Sequence, residues 1–273
     1  MIMYAGTTFR DKSGAVIGAH QKIDRVARRN LAYILGRSRS HEFPSIREIL
    51  HFEGNNGPDG IKRKSPSQDE PWHFIDPTKP DDRALVDMIR EHSHNLAEAL
   101  KNGNCERAAF EAAWMAHAIT DGLTPAHHYP LSDKIEELWG KPKEERLTIR
   151  DKNIIKGANR RDTIVRNWEY WGTKGVFATH LLFELGVATS IKTTTFPTPI
   201  LTEEWLAQQQ NKTLEAVFRE AVQEVYRLDM YHTYWRSGWN AKLARQTRTQ
   251  LIPIIARTVA YAWHEAFWRA QDA

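Results

Sequence analysis

Cysteine occurs once in the 273-residue chain, at Cys105. That excludes an internal disulfide framework and a thiolate-held iron–sulfur cluster. Long apolar runs are missing as well, so a membrane-spanning helix is ruled out. The opening stretch Met1–Gly14 (MIMYAGTTFRDKSG) has no apolar h-region and does not read as a secretory signal. With no disulfides either, the expectation is a cytoplasmic protein, with export by another route left open. No segment alternates in the manner of a strand, and no repeat or low-complexity tract occurs. Charge of one sign is not in large excess. Thirty-eight Lys+Arg against 34 Asp+Glu give +4, which permits an anionic substrate without requiring one. The basic clusters at Arg25, Arg28, Arg29, Arg37 and Arg39, and at Lys62–Arg63–Lys64, read as solvated surface.

What is present is enough apolar side chain, 41% with ten Trp, to bury a sizeable core. The patterning predicts an all-α fold: a single helical domain over residues 1–273, with a loop-rich face. Residues 15–36 carry Val16, Ile23, Val26, Leu31 and Ile34 at roughly helical spacing. Residues 53–81 hold many Gly, Pro and Asp and predict a long functional loop. Asp81 or Asp82 is expected to cap a helix through Leu100, stopped at Asn102–Gly103. A second helix is expected over 105–121, two short ones within 132–172, and another from Gly175 to about Ser190. Thr193–Pro199 reads as a loop. Two long helices are expected over 203–236 and 239–270, the latter kinked at Pro253.

Twelve histidines is a high count for this length. Four carry an acid four residues later: His20/Asp24, His94/Glu98, His117/Asp121 and His180/Glu184. That spacing puts both side chains on one helix face, where they can share an ion; an exposed polar pair is the commoner outcome. The stronger signal is the run HAITDGLTPAH, with His117 and Asp121 inside an otherwise apolar helix. A buried imidazole and carboxylate must be satisfied, by a metal or by a closed hydrogen-bonded pair. Pro125 ends the helix and lets His127 turn back. His180 and Glu184 repeat the pattern in ATHLLFEL, and the long loop adds Asp59 (GPDG) and His73 (PWHFIDP).

These motifs resemble the zinc-dependent phospholipase C and single-strand-specific nuclease superfamily. Its hallmark H-x-x-x-D-x-x-x-P-x-H fits His117, Asp121, Pro125 and His127. A later H-x-x-x-E fits His180 and Glu184, an upstream Asp before HFIDP fits Asp59 and His73, and an early His fits His20 in GAHQKID. The segment ARTVAYAWHEAFWRA is similar too, so the resemblance covers most of the chain. It implies a helical domain with two or three zinc ions at the base of a cleft. A first zinc would be held by Asp59, His73, His117 and Asp121, a second by His127, His180 and Glu184, and a third by His20 and the other oxygen of Asp121. In that superfamily an N-terminal Trp, freed by signal cleavage, completes the third site; here no Trp precedes Trp72. A second departure is an insertion at about 129–174.

The implied activity is hydrolysis of a phosphodiester by in-line attack of an activated water. Asp59 is the expected catalytic proton acceptor, and Phe74 corresponds to a base-stacking position. Asp76 or Asp24 could orient the ligands, or Asp76 could simply cap a turn. Choline-preferring phospholipases place aromatics where this chain has Gly60 and Glu70. The final DP of HFIDP favours a phospholipase C-like enzyme. A single-strand-specific nuclease and a metal-stabilised helical binding protein without turnover are the alternatives. The partner expected is the substrate, a phospholipid or a single-stranded nucleic acid; no protein partner is indicated. His92, His94 and Glu98 are read as solvated, His232 and His264 as satisfied core or interface groups, the C-terminal tryptophans as core, only one of His127 and His128 as pointing inward, and Cys105 as structural.

Overall fold

The structure is a computed structural model and describes residues 18–60, 73–128, 136–140, 154–172 and 175–272. Among the described residues it is all-helical, and no strand occurs. No helix is long and apolar enough to cross a membrane. The helices in chain order are α1 (Ala19–Arg39), α2 (Ile46–His51), α3 (Ala84–Lys101), α4 (Cys105–Gly122), α5 (Arg160–Trp171), α6 (Val176–Ile191), α7 (Glu203–Gln209), α8 (Leu214–Tyr226), α9 (Met230–Ser237), α10 (Ala241–Gln246) and α11 (Ile252–Asp272).

Helix α4 is the centre of the molecule. From Met115 to Gly122 every residue is buried, the mark of a helix surrounded by others rather than lying on a surface. It packs on α3, on α11, on α2 and on α1, while α1 and α3 both pack on α11. Asn104 starts α4 by accepting the Arg107 backbone N–H, a standard N-cap that satisfies one of the open donors. The approach at its other end is close: a Cβ at Gly122 would lie 2.6 Å from Leu85 Cδ2 and 2.7 Å from Phe218 Cζ. Trp263 of α11 is fully buried and donates from Nε1 to the Ala112 carbonyl at 3.0 Å, so the largest core side chain also fixes the register of α11 on α4.

Several sequence expectations are met by these elements, with end-point shifts of a few residues. Others are corrected. Helix α3 is not capped by Asp81 or Asp82. Its N-cap is Arg83, and Asp82 Oδ2 instead accepts the Asp76 backbone N–H at 2.9 Å. The span 203–236 is three helices, not one. It breaks after Gln209 and again at Asp229, whose φ of 51° lies in the left-handed region. In 239–270 the disturbance at Pro253 takes the form of a five-residue π-turn, Thr247–Leu251, directly before it. A proline without an N–H is accommodated by widening the preceding turn.

The basic residues of α1 are not all solvated surface. Arg28 is half-buried and donates to the carbonyls of Ser40, Phe43 and Pro44, and Arg39 lies 4.3 Å from the Trp268 ring centroid. Lys62–Arg63–Lys64 and Glu70 fall outside the described residues. Of the insertion, the described parts form a small second apolar cluster of Leu138, Trp139, Ile155 and Tyr170. Helix α5 also exposes Ile164, Val165 and Trp168.

Candidate metal centre

Five separate segments bring their acids and imidazoles to one buried place. Helix α1 supplies His20 and Asp24, residues 53–60 supply Glu53 and Asp59, the segment after residue 72 supplies His73, the end of α4 and its following turn supply His117, Asp121 and His127, and α6 supplies His180 and Glu184. All ten are buried. Three groups present ligand atoms mutually within 4.8 Å, the first two sharing His117: Asp59/His73/His117, His20/Glu53/His117 and His127/His180/Glu184.

Asp121 sits between these groups and faces imidazoles on both of its oxygens. Oδ1 is 3.2 Å from His20 Nε2. Oδ2 is 3.3 Å from His117 Nε2 and 4.0 Å from His127 Nδ1, and it contacts His73 Nδ1 directly. The i, i+4 spacing of His117 and Asp121 on α4 creates the first of these contacts. The turn Thr124–His127 creates another: Thr124 Oγ1 donates to the Thr120 carbonyl, and Pro125–His127 forms a single 3₁₀ turn that folds the imidazole back.

The segment around His73 is clipped to that turn. The Ile75 N–H donates to the His127 carbonyl at 3.1 Å. His127 Nδ1 lies 2.7 Å from the His73 carbonyl, and with a carbonyl as partner this nitrogen must be the N–H. That tautomer leaves Nε2 with its lone pair, 3.1 Å from Glu184 Oε1, which is also 2.9 Å from His180 Nε2. Locking one ring nitrogen to a carbonyl to aim the other is the usual support for a histidine metal ligand. Phe74 stacks on His127 at 5.2 Å and 24° and is half-buried, so its ring helps hold the imidazole in place.

The donor set fits a divalent cation. Nδ1 of buried His180 has no hydrogen-bond partner among the described residues, and the nitrogens of buried His117 make only long contacts, 3.3 Å to Asp121 and 3.5 Å to Glu53. Buried polar atoms of this kind are rare unless something else binds them. Nitrogen and carboxylate donors with no thiolate suit zinc and its first-row neighbours. Electrostatics point the same way. Burial disfavours charge at Asp121, yet His127, His117 and His73 hold its carboxyl well below the usual range. At Glu184 burial is again outweighed, by His180 and His127. At His117 burial is outweighed by Asp121 and Glu53, which push it well above the ordinary histidine value. Asp24 goes the other way: burial and the neighbouring Glu53 push it well up. The acids are thus held ionised by imidazoles that meet the demand for positive charge only while they are protonated, and a bound cation would meet it in their place.

Every sequence-predicted ligand thus lies in this cluster: His20, Asp59, His73, His117, Asp121, His127, His180 and Glu184. Glu53 does too, and nothing in the motifs singled it out. Asp76 does not. It caps a turn, accepting from the Thr78 N–H and hydroxyl at 2.9 and 2.7 Å. His128 is buried but faces the Gly122 carbonyl at 2.7 Å rather than the cluster, and burial lowers its pKa to about 4. His94 and Glu98 are exposed as expected, whereas His92 is bound to buried Glu111. His232 is exposed rather than core, as is Trp235, and Trp268 is partly so. His232 and Trp235 lie on α9, which starts directly after the left-handed break at Asp229. No protein-family model matches the chain, and no curated protein matches it.

Proposed function

We propose that this protein is a zinc-dependent phosphoric ester hydrolase, phospholipase C-like, that cleaves phosphodiesters. One observation carries the reading: Asp59, His73, His117, Asp121, His127, His180 and Glu184, spread over 126 positions, gather into adjoining buried groups in the order and spacing of the superfamily whose motifs they resemble. His117, Asp121, His73 and Asp59 would hold one cation, and His127, His180 and Glu184 another. A bound divalent cation acidifies water toward a pKa of about 7 and stabilises charge on phosphoryl oxygens.

The chain's own residues do the rest. Asp121 sets the spacing of the groups, since its two oxygens face different imidazoles. The His73 carbonyl fixes the tautomer of His127. Asp59, buried beside His73 and His117, would accept a proton from an attacking water. The close apolar walls keep bulk water away, which strengthens each electrostatic contact inside. Beside the turn that carries His127 lies a cavity of about 690 Å³ whose lining mixes apolar and aromatic Met230, Tyr231 and Trp235 with polar Arg227, Asp229 and His232.

Gly60 bears on the head group. A Cβ there would lie 2.0 Å from the Asn55 carbonyl oxygen, so the aromatic that choline-preferring relatives place at this position has no room. A non-choline phospholipid is the favoured substrate. The test is a parallel assay on phosphatidylcholine, other phospholipids and single-stranded DNA, with bound zinc counted in the same sample. Zinc-dependent release of a phosphorylated head group supports the reading. Cleavage of DNA alone would move the assignment to the nuclease branch. Bound zinc without turnover of any phosphodiester would leave a metal-stabilised binding protein.

A further inference from the structure

We propose that Glu53 is a metal ligand: with His20 and Oδ1 of Asp121 it holds a third divalent cation. The proposal rests on the hydrolase reading only in taking the other two groups as metal sites. Glu53 is a built candidate. It is fully buried, follows the short capped helix α2, and is turned inward by the tight 3₁₀ turn Gly54–Asn56, where its Oε2 accepts the Gly54 N–H at 3.4 Å.

The geometry separates two coordination positions around Asp121. On the Oδ2 side stand His73 and His117 Nε2. On the Oδ1 side stands His20 Nε2, 3.2 Å away. The His20 ring is stacked on His117, 4.1 Å between centroids and 16° between planes, and His20, Glu53 and His117 present ligand atoms within 4.8 Å of one another. His117 cannot serve both positions as a neutral imidazole. Its Nε2 faces Asp121 Oδ2, and its Nδ1 faces Glu53 Oε2 at 3.5 Å. With His117 Nε2 turned to the Oδ2 side, the position beside His20 Nε2 has Asp121 Oδ1 at 3.2 Å and a Glu53 ligand atom within 4.8 Å of the imidazole's, nitrogen and carboxylate donors of the kind that suit zinc. Fully burying Glu53 beside Asp24 is costly, and a shared cation offsets that cost.

A competing role is that Glu53 merely orients His117 through Nδ1, a positioning contact. Zinc counting separates the two. Full-length wild type, Glu53→Gln, His20→Ala and the double variant are loaded with zinc, dialysed and analysed by mass spectrometry, with helicity recorded by circular dichroism. If Glu53 and His20 hold the same ion, each single variant loses one equivalent and the double variant loses no more than either. A Glu53→Gln protein with the wild-type count overturns the proposal, as does a double variant that loses one equivalent more than the singles. A wild type that binds only the two other cations overturns it while leaving the hydrolase reading intact; a wild type that binds none ends both. Should Glu53→Gln fail to fold, Glu53→Asp is titrated instead. Its shorter reach is expected to weaken the last equivalent at least about tenfold with the others unchanged, and an unchanged titration overturns the assignment.

Discussion

Helix α4 buries two carboxylates ten positions apart, Glu111 and Asp121, and each meets histidine. Their surroundings differ in one respect. Glu111 is completely buried, yet Arg107 on the same helix pairs with one oxygen and His92 of α3 stands 2.5 Å from the other. A permanent guanidinium closes that cluster, and nothing further is needed. Asp121 is surrounded by His20, His73, His117 and His127, groups that are neutral or charged according to what binds them. The lesson is that a buried acid–imidazole pair does not by itself mark a functional site. The supply of fixed positive charge decides whether the pair is a finished salt bridge or a cradle for a cation.

The comparison can be broken most sharply at the two acids themselves. Asp121→Asn should lower zinc-dependent phosphodiester hydrolysis at least about 100-fold, because ligand loss exceeds the usual effect of disturbing a supporting contact. Glu111→Gln should leave both the zinc count and the rate near wild type. Parallel kinetics and metal analysis of the two variants check this, and equal losses in both would erase the distinction.

Zinc removal gives the next largest effect. Adding free zinc at about a thousand times its Kd to the chelated protein should stabilise it by about 4 kcal/mol per tight site. That gain should persist in Arg107→Ala and shrink in His180→Ala. Differential scanning calorimetry with and without zinc reads it directly.

Arg107→Ala itself should cost about 1–3 kcal/mol at any zinc concentration. Removing one partner of a buried pair costs more than that, but Arg107 is half-exposed and its charge is screened. Denaturant unfolding at two zinc levels gives the number, and a zinc-dependent loss would mean that the two clusters communicate.

The smallest effect concerns a third imidazole, His264, which accepts the Trp268 Nε1–H at 2.8 Å. Burial lowers its pKa from 6.5 to about 4. A histidine that binds fewer protons when folded contributes its full stability above the unfolded pKa and loses it as pH falls toward the folded one. Between about pH 6.5 and 4 the full shift corresponds to about 3 kcal/mol, and because the ring is only partly buried solvent screening cuts the flattening expected of His264→Gln to about 2 kcal/mol. An unchanged slope in urea unfolding would mean that His264 already carries its proton.

Much of the centre was legible in the chain because its residues sit at fixed offsets within helices. His117/Asp121 and His180/Glu184 are i, i+4 pairs among apolar neighbours, and Pro125 announces the turn that returns His127. Glu53 was not legible: a lone acid before a glycine-rich stretch has no periodic partner, and only the fold shows that α2 drives it inward. The same holds for His92, whose partner Glu111 lies on another helix. The breaks at Gln209 and Asp229 were missed because residues 203–236 keep a helical apolar pattern across both, and packing overrides that pattern locally.

The pairing of Ile75 with the His127 carbonyl, and of His127 with the His73 carbonyl, also governs the order of assembly. No local stretch of chain can make the centre. His20 and Glu184 lie 164 positions apart, and closing such a span carries an entropic cost that early contacts do not return. Until that clip forms, the acids of α1, α4 and α6 have no common site to repel one another in; once it forms, their charges are confined together. Any cation taken up here would therefore depend on the docking of the 73–75 segment, and that docking would in turn be favoured by the cation.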